Sequence, residues 1–233
     1  MLSAENLSCH RDRRLVLDQV DLDVRPRELV AVVGGAGAGK TTLLESFLGL
    51  HRPSAGRVRI DGIDLANLLQ RPDDLLAYVP ATVSFAGPVR VADHVRHRCQ
   101  AFGRRMPDAI VRLALLRGGI AHEWHDRPLP ACPPAVQRKL ALTLATLRST
   151  RGLLLDEPLR DLEPGDCEPL ITSLRLIRKG GAAILLATRD LEFARRVATR
   201  VVHLEKGASV ETCELTASRR DFHANSYLSR LVD

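Results

Sequence analysis

Two short stretches carry the residue types and spacing suited to phosphate chemistry. Gly34-Gly35-Ala36-Gly37-Ala38-Gly39-Lys40-Thr41 has the pattern G-x-x-x-x-G-K-[ST] and is followed by Thr42. It sits between a buried apolar run, residues 29–33, and a stretch with helical spacing, the context in which the pattern makes a site. A chain turning from strand to helix there aims backbone N–H groups at one point, at the positive end of the helix dipole. Gly34, Gly37 and Gly39 let the backbone turn inward, and bulky side chains would block the nest that they form with Gly35, Ala36 and Ala38. Lys40 is placed to reach β- and γ-phosphates, Thr41 to offer a hydroxyl to Mg²⁺, and Thr42 to contact an α-phosphate. The second stretch, Leu153-Leu154-Leu155-Asp156-Glu157-Pro158, is an apolar strand that delivers two carboxylates to its C-terminal edge, where ligands of open α/β sheets collect. Asp156 is the candidate Mg²⁺ ligand, through water, and Glu157 the candidate general base for an attacking water. Taken alone, the acidic pair before Pro158 reads better as the start of a helix; the cradle upstream gives it meaning.

The elements that must position these groups follow from periodicity. Residues 15–24 alternate, with Val16, Val20, Leu22 and Val24 apolar and Asp18, Asp21 and Asp23 polar, which predicts an antiparallel strand with one wet face. Residues 29–33 read as a buried parallel strand and residues 40–50 as a helix closed by Gly49 and His51-Arg52-Pro53. A strand over 57–60 turns at Asp61-Gly62. Spacing is helical from Val91 to about Leu116, and a proline-rich stretch, 127–134, separates this from a helix over about 135–147. Strands at 153–155 and 182–188 flank a helix over about 167–179, which is βαβ grammar. A last hairpin, 201–210, turns at Lys206-Gly207 and precedes a polar C-terminal helix or tail.

Composition excludes several classes. The 233 residues are 45% hydrophobic and 27% charged, too apolar for global disorder and enough for a real core. No stretch approaches a membrane span, and the first thirty residues lack the pattern of a secretion signal. Cys9, Cys99, Cys132, Cys167 and Cys213 are scattered with no Cys-x-x-Cys pair, which fits a reducing cytoplasm. Net charge is +6, but the basic residues are mostly dispersed arginines and aromatics are only 3%, so stacking platforms for nucleic acid are scarce.

With both motifs flanking a helical insert, the chain resembles an ATP-binding cassette (ABC) transporter ATPase subunit over nearly its whole length. The likeness includes the strand before the cradle, Gly56-Arg57-Val58 after it, Tyr78-Val79-Pro80 before the insert and the closing stretch from Asp190 to Gly207. The resemblance implies an α/β fold: a P-loop NTPase core of the ABC-ATPase type with an antiparallel β lobe and an inserted helical subdomain at about 85–148, in one nucleotide-binding domain over 1–233. It implies ATP and Mg²⁺ as cofactors, and transmembrane permease subunits and a second nucleotide-binding subunit as partners. In that family two such domains sandwich ATP head to tail, each cradle facing the other's Leu-Ser-Gly-Gly-Gln signature.

The departures from that pattern are specific. Register with the following helix puts Cys132-Pro133-Pro134-Ala135-Val136 where the signature belongs, and prolines carry no N–H to give a partner's γ-phosphate. Ala81 stands in place of a glutamine that touches Mg²⁺ and the attacking water. Arg189 replaces the switch histidine; a guanidinium cannot relay a proton, so Arg189 is expected either to bind the γ-phosphate or to pair with Glu157. Glu163 replaces an aspartate, and His10 or Arg11 stands where an aromatic would stack on adenine. These changes predict a chain that binds Mg-ATP with impaired or partner-dependent hydrolysis, in a heterodimer rather than a homodimer, on the cytoplasmic face of a membrane through separate membrane subunits. The alternative is a non-catalytic nucleotide-binding module that stabilises a membrane complex. The insert bears a likeness to those of drug or polysaccharide exporters, which implies export. His94, His97, His122 and His125 read as solvated surface, and Cys132 as an inert thiol.

Overall fold

Two sheets pack against each other in the computed structural model, which describes residues 1–69, 71–147 and 150–214. The first is antiparallel, in the order β2 (Arg14–Val24), β1 (Leu2–Arg11), β4 (Ala55–Ile60), β5 (Ile63–Asp64). The second runs β10 (Ala208–Glu214), β9 (Arg200–Glu205), β3 (Leu29–Val33), β8 (Ala183–Thr188), β7 (Gly152–Asp156), β6 (Leu76–Val79). Its pairings are parallel except that of β10 with β9. Strands β3, β7 and β8 are buried along their whole length, as continuous Val/Leu/Ile/Ala runs require when both faces are covered.

One face of the parallel sheet packs on α1 (Lys40–Phe47) and the antiparallel sheet through Leu43, Leu44, Phe47, Leu154 and Leu185. The other face packs on α6 (Pro134–Thr146), α7 (Cys167–Lys179) and α8 (Leu191–Val197) through Ala145, Ile171, Leu174 and Phe193. Each fully buried Leu, Ile or Phe contributes about 1.5–3 kcal/mol, so a one-residue slip of β7, which would move every side chain to the other face, is strongly disfavoured. That register fixes the height of Asp156. Between β6 and β7, helices α3 (Val91–Ala101), α4 (Asp108–Arg117), α5 (His122–His125) and α6 form a separate apolar cluster that includes Val95, Leu115, Leu129, Cys132 and Leu140. A one-turn helix, α2 (Pro72–Leu75), precedes β6.

Several elements differ from the sequence reading for identifiable reasons. Helix α1 stops at Phe47 because Gly49, at φ 70, closes it: its N–H donates to Ser46 O at 3.2 Å while Leu50 N–H donates to Glu45 O at 3.1 Å. The helical stretch after Val91 is two helices, interrupted by Gly103 at φ 69 and by Pro107, which caps α4. In β2 the buried face is Leu17, Val20, Leu22 and Val24, not Val16, because a bulge at Gln19 (φ 47) shifts the alternation by one. His125 is not on a surface loop: it is fully buried in α5 with Nε2 2.9 Å from Ile120 O. His94 is half-buried, edge-on to Phe85, while His97 is exposed. The C-terminal helix or tail expected after the last hairpin lies outside the described residues.

Candidate functional site

Strand β3 delivers Val33 at the sheet's C-terminal edge, and the chain turns through the glycines into α1. Gly37 (φ 76) and Gly39 (φ 99) adopt left-handed backbone, which L-residues avoid. Gly34 is required for a different reason: a Cβ there would lie 2.2 Å from Leu204 O of β9, so the glycine lets the cradle sit tight against its neighbour strand. Gly35 and Gly37 face open space, where a Cβ would meet nothing within 4 Å. The Lys40 ammonium, on a residue only 7% exposed, donates to Gly34 O at 2.7 Å and Gly35 O at 2.8 Å. Burial pushes its pKa down, with Glu157 and Asp156 opposing that shift. A buried ammonium folded back on its own loop, beside free space, is a charge poised to meet an anion.

Asp156 ends β7 at 1% exposure. Its Oδ2 accepts from Thr41 Oγ1 at 2.6 Å, and its buried Oδ1 has no hydrogen-bond partner. Burial pushes the Asp156 carboxyl above the ordinary carboxylate range, against the Thr41 hydrogen bond. An orphaned carboxylate oxygen beside a threonine hydroxyl is a hard-oxygen pair, the donor set that suits Mg²⁺. Glu157 follows at φ 45, and its N–H donates to Ala187 O at 2.8 Å. Three groups surround its carboxylate: Thr188 Oγ1 at 3.3 Å, Arg189 N–H at 3.3 Å, and Arg189 Nε at 3.4 Å. The structure thus gathers Lys40, Thr41, Asp156, Glu157 and Arg189 in one place from α1, β7 and the end of β8. Thr42 is buried on α1 next to them.

A glycine-rich strand-to-helix loop, a hydroxyl–carboxylate pair and a second carboxylate, ordered along a parallel sheet with a helical insert, coincide with a family model described as ABC transporter that matches residues 17–160. The chain belongs to the ABC transporter family. It is 38% identical over 208 residues to a putative ABC transporter ATP-binding protein of Streptomyces coelicolor, which covers 87% of this chain and 36% of that protein. It is 33% identical over 216 residues to the zinc import ATP-binding protein ZnuC of Cereibacter sphaeroides, covering 91% of this chain and 82% of that one. The chain therefore spans only about a third of the Streptomyces relative. A solved structure described as the ATP binding subunit of an ABC transporter matches with a TM-score of 0.84 at 27% identity, covering 100% of this chain and 98% of that one.

In this ABC cassette, the residues that the family resemblance singles out as departures are placed as follows. The Cys132-Pro133-Pro134 corner belongs to the insert. Cys132 is buried in the insert's apolar cluster, which pushes its thiol pKa up, and its N–H is used by Leu129 O at 3.0 Å. Val136 N–H and Gln137 N–H both turn back to Pro133 O, at 3.0 and 3.2 Å. With two prolines, Ala135 carries the one first-turn amide of α6 to which the structure gives no acceptor. Glu163 is exposed, and its N–H donates to Asp166 Oδ2 at 3.2 Å. His10 Nδ1 lies 3.0 Å from Ser54 Oγ and Arg11 Nη1 4.0 Å from Glu45 Oε2, both residues being exposed on the β1–β2 hairpin. Sequence reasoning passed over Arg138, which the structure places wholly buried beside Ala81; a single arginine within a helix gives no signal of that kind.

Proposed function

We propose that this chain binds Mg-ATP as the nucleotide-binding subunit of an ABC transporter, with hydrolysis that is weak or depends on a partner. The observation that carries the first half is the cluster of Lys40, Thr41 and the buried, unpartnered Asp156 Oδ1 beside a glycine loop whose Gly35 and Gly37 face open space. Lys40, Thr42 and the amides of Gly35–Gly39 would hold the phosphates, Thr41 and Asp156 the Mg²⁺, which when bound neutralises charge between phosphate oxygens. Glu157 would take the proton of the attacking water, for which it must leave Arg189.

What supports the second half is the α6 N-terminus. A cassette lends its signature amides to a partner's γ-phosphate; here one amide stands where several are needed, and each missing charged hydrogen bond costs about 1.5–3 kcal/mol of closure. A heterodimer is favoured over a homodimer on this ground, since only a partner with a complete signature could close on this cradle. The subunit would act on the cytoplasmic face of a membrane, docked on transmembrane permease subunits; among the described residues no helix is long and apolar enough to cross one itself. A second reading, a non-catalytic nucleotide-binding module, is favoured by the Arg189–Glu157 pair, which leaves the candidate base engaged.

Calorimetric titration with ATP and ADP, with and without Mg²⁺, tests the binding claim, and Lys40→Ala is expected to weaken ATP affinity by at least about 100-fold. Turnover with the membrane subunits present separates the two readings. If Glu157→Gln abolishes a measurable rate, the non-catalytic reading fails; if wild type shows no rate at all, the catalytic one does.

A further inference from the structure

The bulkiest fully buried side chain among the described residues is a charged one, Arg138 on α6. A guanidinium is costly to remove from water unless its donors are used. Here Nη1 donates to Pro80 O at 2.6 Å, Nη2 donates to Ala81 O, and Nη2 lies 3.7 Å from Asp161 Oδ2. Arg160 adds a second grip on the same loop: its Nη1 is 3.4 Å from both Ala81 O and Thr82 Oγ1.

These contacts lie next to the nucleotide site. Val79 pairs with Leu155, so Pro80 and Ala81 run on beside Asp156 and Glu157. Arg160 N–H donates to Glu157 O at 3.0 Å, which closes the turn that carries Arg160 and Asp161. Ala81 offers only a methyl group, so no side chain of this residue can span from insert to site. The backbone carbonyls are the handles that remain. A planar guanidinium holding two of them is stiff and directional, so α6 cannot shift relative to the 80–82 segment without pulling on it.

We propose that Arg138 is a positioning residue that couples occupancy of the nucleotide site to the helical insert, through the Pro80 and Ala81 carbonyls and the 160–161 turn. The proposal rests on the nucleotide-binding reading above. It assigns to a backbone grip the communication that a loop side chain would otherwise supply, and it differs from a merely cementing role in what ligand binding does to α6.

Amide hydrogen exchange on the full chain, with and without Mg-ATP, tests it, alongside titration of ATP affinity. In wild type, Mg-ATP is expected to slow exchange across residues 135–146 by about tenfold. Arg138→Gln is expected to bind ATP within about threefold of wild type, since the cradle is built on α1, yet to lose most of that ligand-dependent slowing. A cementing role instead makes α6 exchange faster in both states while the difference made by ATP persists, and that result overturns the proposal. Should exchange across β3, β7 and β8 show Arg138→Gln to be unfolded, Asp161→Asn decides. Asp161 is 42% exposed with φ 65, a conformation asparagine tolerates. The slowing is expected to fall by about half or more in that variant, and an unchanged value overturns the proposal. Wild type that binds no ATP refutes the nucleotide reading itself; wild type that binds ATP without any response in α6 refutes this coupling alone.

Discussion

Asp156 combines two demands that conflict. As a carboxylate at the end of a buried strand it is desolvated, and one oxygen has no partner. Its pKa is raised in the folded chain by burial. Between the ordinary and the raised value the folded state therefore binds more protons than the unfolded one. Stability falls as pH rises through that window and stays lower at neutral pH. Asp156→Asn keeps an acceptor for Thr41 and removes the charge. It is expected to raise the thermal midpoint of the nucleotide-free protein by a few degrees, the effect of about 1 kcal/mol in a chain of this size, and to abolish the further gain produced by Mg-ATP. Differential scanning calorimetry with and without Mg-ATP measures both; a variant less stable than wild type without nucleotide contradicts the argument. Arg189 is bounded by magnitude. Its side chain is 61% exposed, so its pair with Glu157 is worth at most about 1 kcal/mol, or about fivefold. Arg189→Ala is expected to raise turnover by no more than about fivefold while ADP and ATP affinities stay within twofold. A fall in ATP affinity with ADP unchanged would assign Arg189 to the γ-phosphate instead.

At the scale of elements, the N-terminus of α6 is where the proposed loss of donors can be tested by substitution. Pro133→Ser, Pro134→Gly and Ala135→Gly together restore a hydroxyl and backbone N–H groups at the corner, and glycine is tolerated poorly but sufficiently in a first turn. In a Glu157→Gln background this triple variant is expected to form ATP-dependent pairs at least about tenfold more tightly than the Glu157→Gln parent, the return on one regained charged hydrogen bond. Analytical ultracentrifugation reads the change, and an unaltered monomer fraction would show that the corner does not limit closure. The cradle and β7 were legible in sequence because their signals are local: complete motifs on continuous apolar runs. Strand β1 was not. Its buried apolar residues are Leu2 and Ala4, then Leu7 and Cys9, and the parity flips at Asn6, whose φ is 47 and whose N–H donates to Asp21 Oδ1 at 2.7 Å. A period of two that changes phase mid-strand leaves no clean alternation to detect. The same device at Gln19 misassigned Val16. The role of Arg138 was hidden for a tertiary reason, because the carbonyls that it meets lie 57 and 58 residues away in the chain.

At the scale of the molecule, a subunit that works as proposed is asymmetric in what it receives and what it returns. On its own side it would bring an ammonium, a hydroxyl, two carboxylates and an open glycine loop. To a head-to-tail partner it would offer the α6 corner, where Pro133 and Pro134 are exposed and have no N–H to donate. Two identical copies would each meet that deficit, so the cost of closure is counted twice in a symmetric pair and once in a mixed one. A net charge of +6 adds self-repulsion that weakens as salt rises. The chain alone with Mg-ATP is therefore expected to stay monomeric by sedimentation even in the Glu157→Gln form, at low and at moderate ionic strength. Salt separates the two causes, because lost hydrogen bonds persist when charge is screened and repulsion does not. Addition of a cassette that carries an intact signature is expected to produce a one-to-one, ATP-dependent complex, in which Lys40→Ala on this chain abolishes assembly more completely than the same change on the partner. That ordering follows from the proposed arrangement: the closed half-site in a mixed pair would be this chain's cradle under the partner's signature, with Lys40 the cation within it. A homodimer that forms with ATP at low salt would place the missing donors elsewhere in the molecule and end the case for a mixed pair.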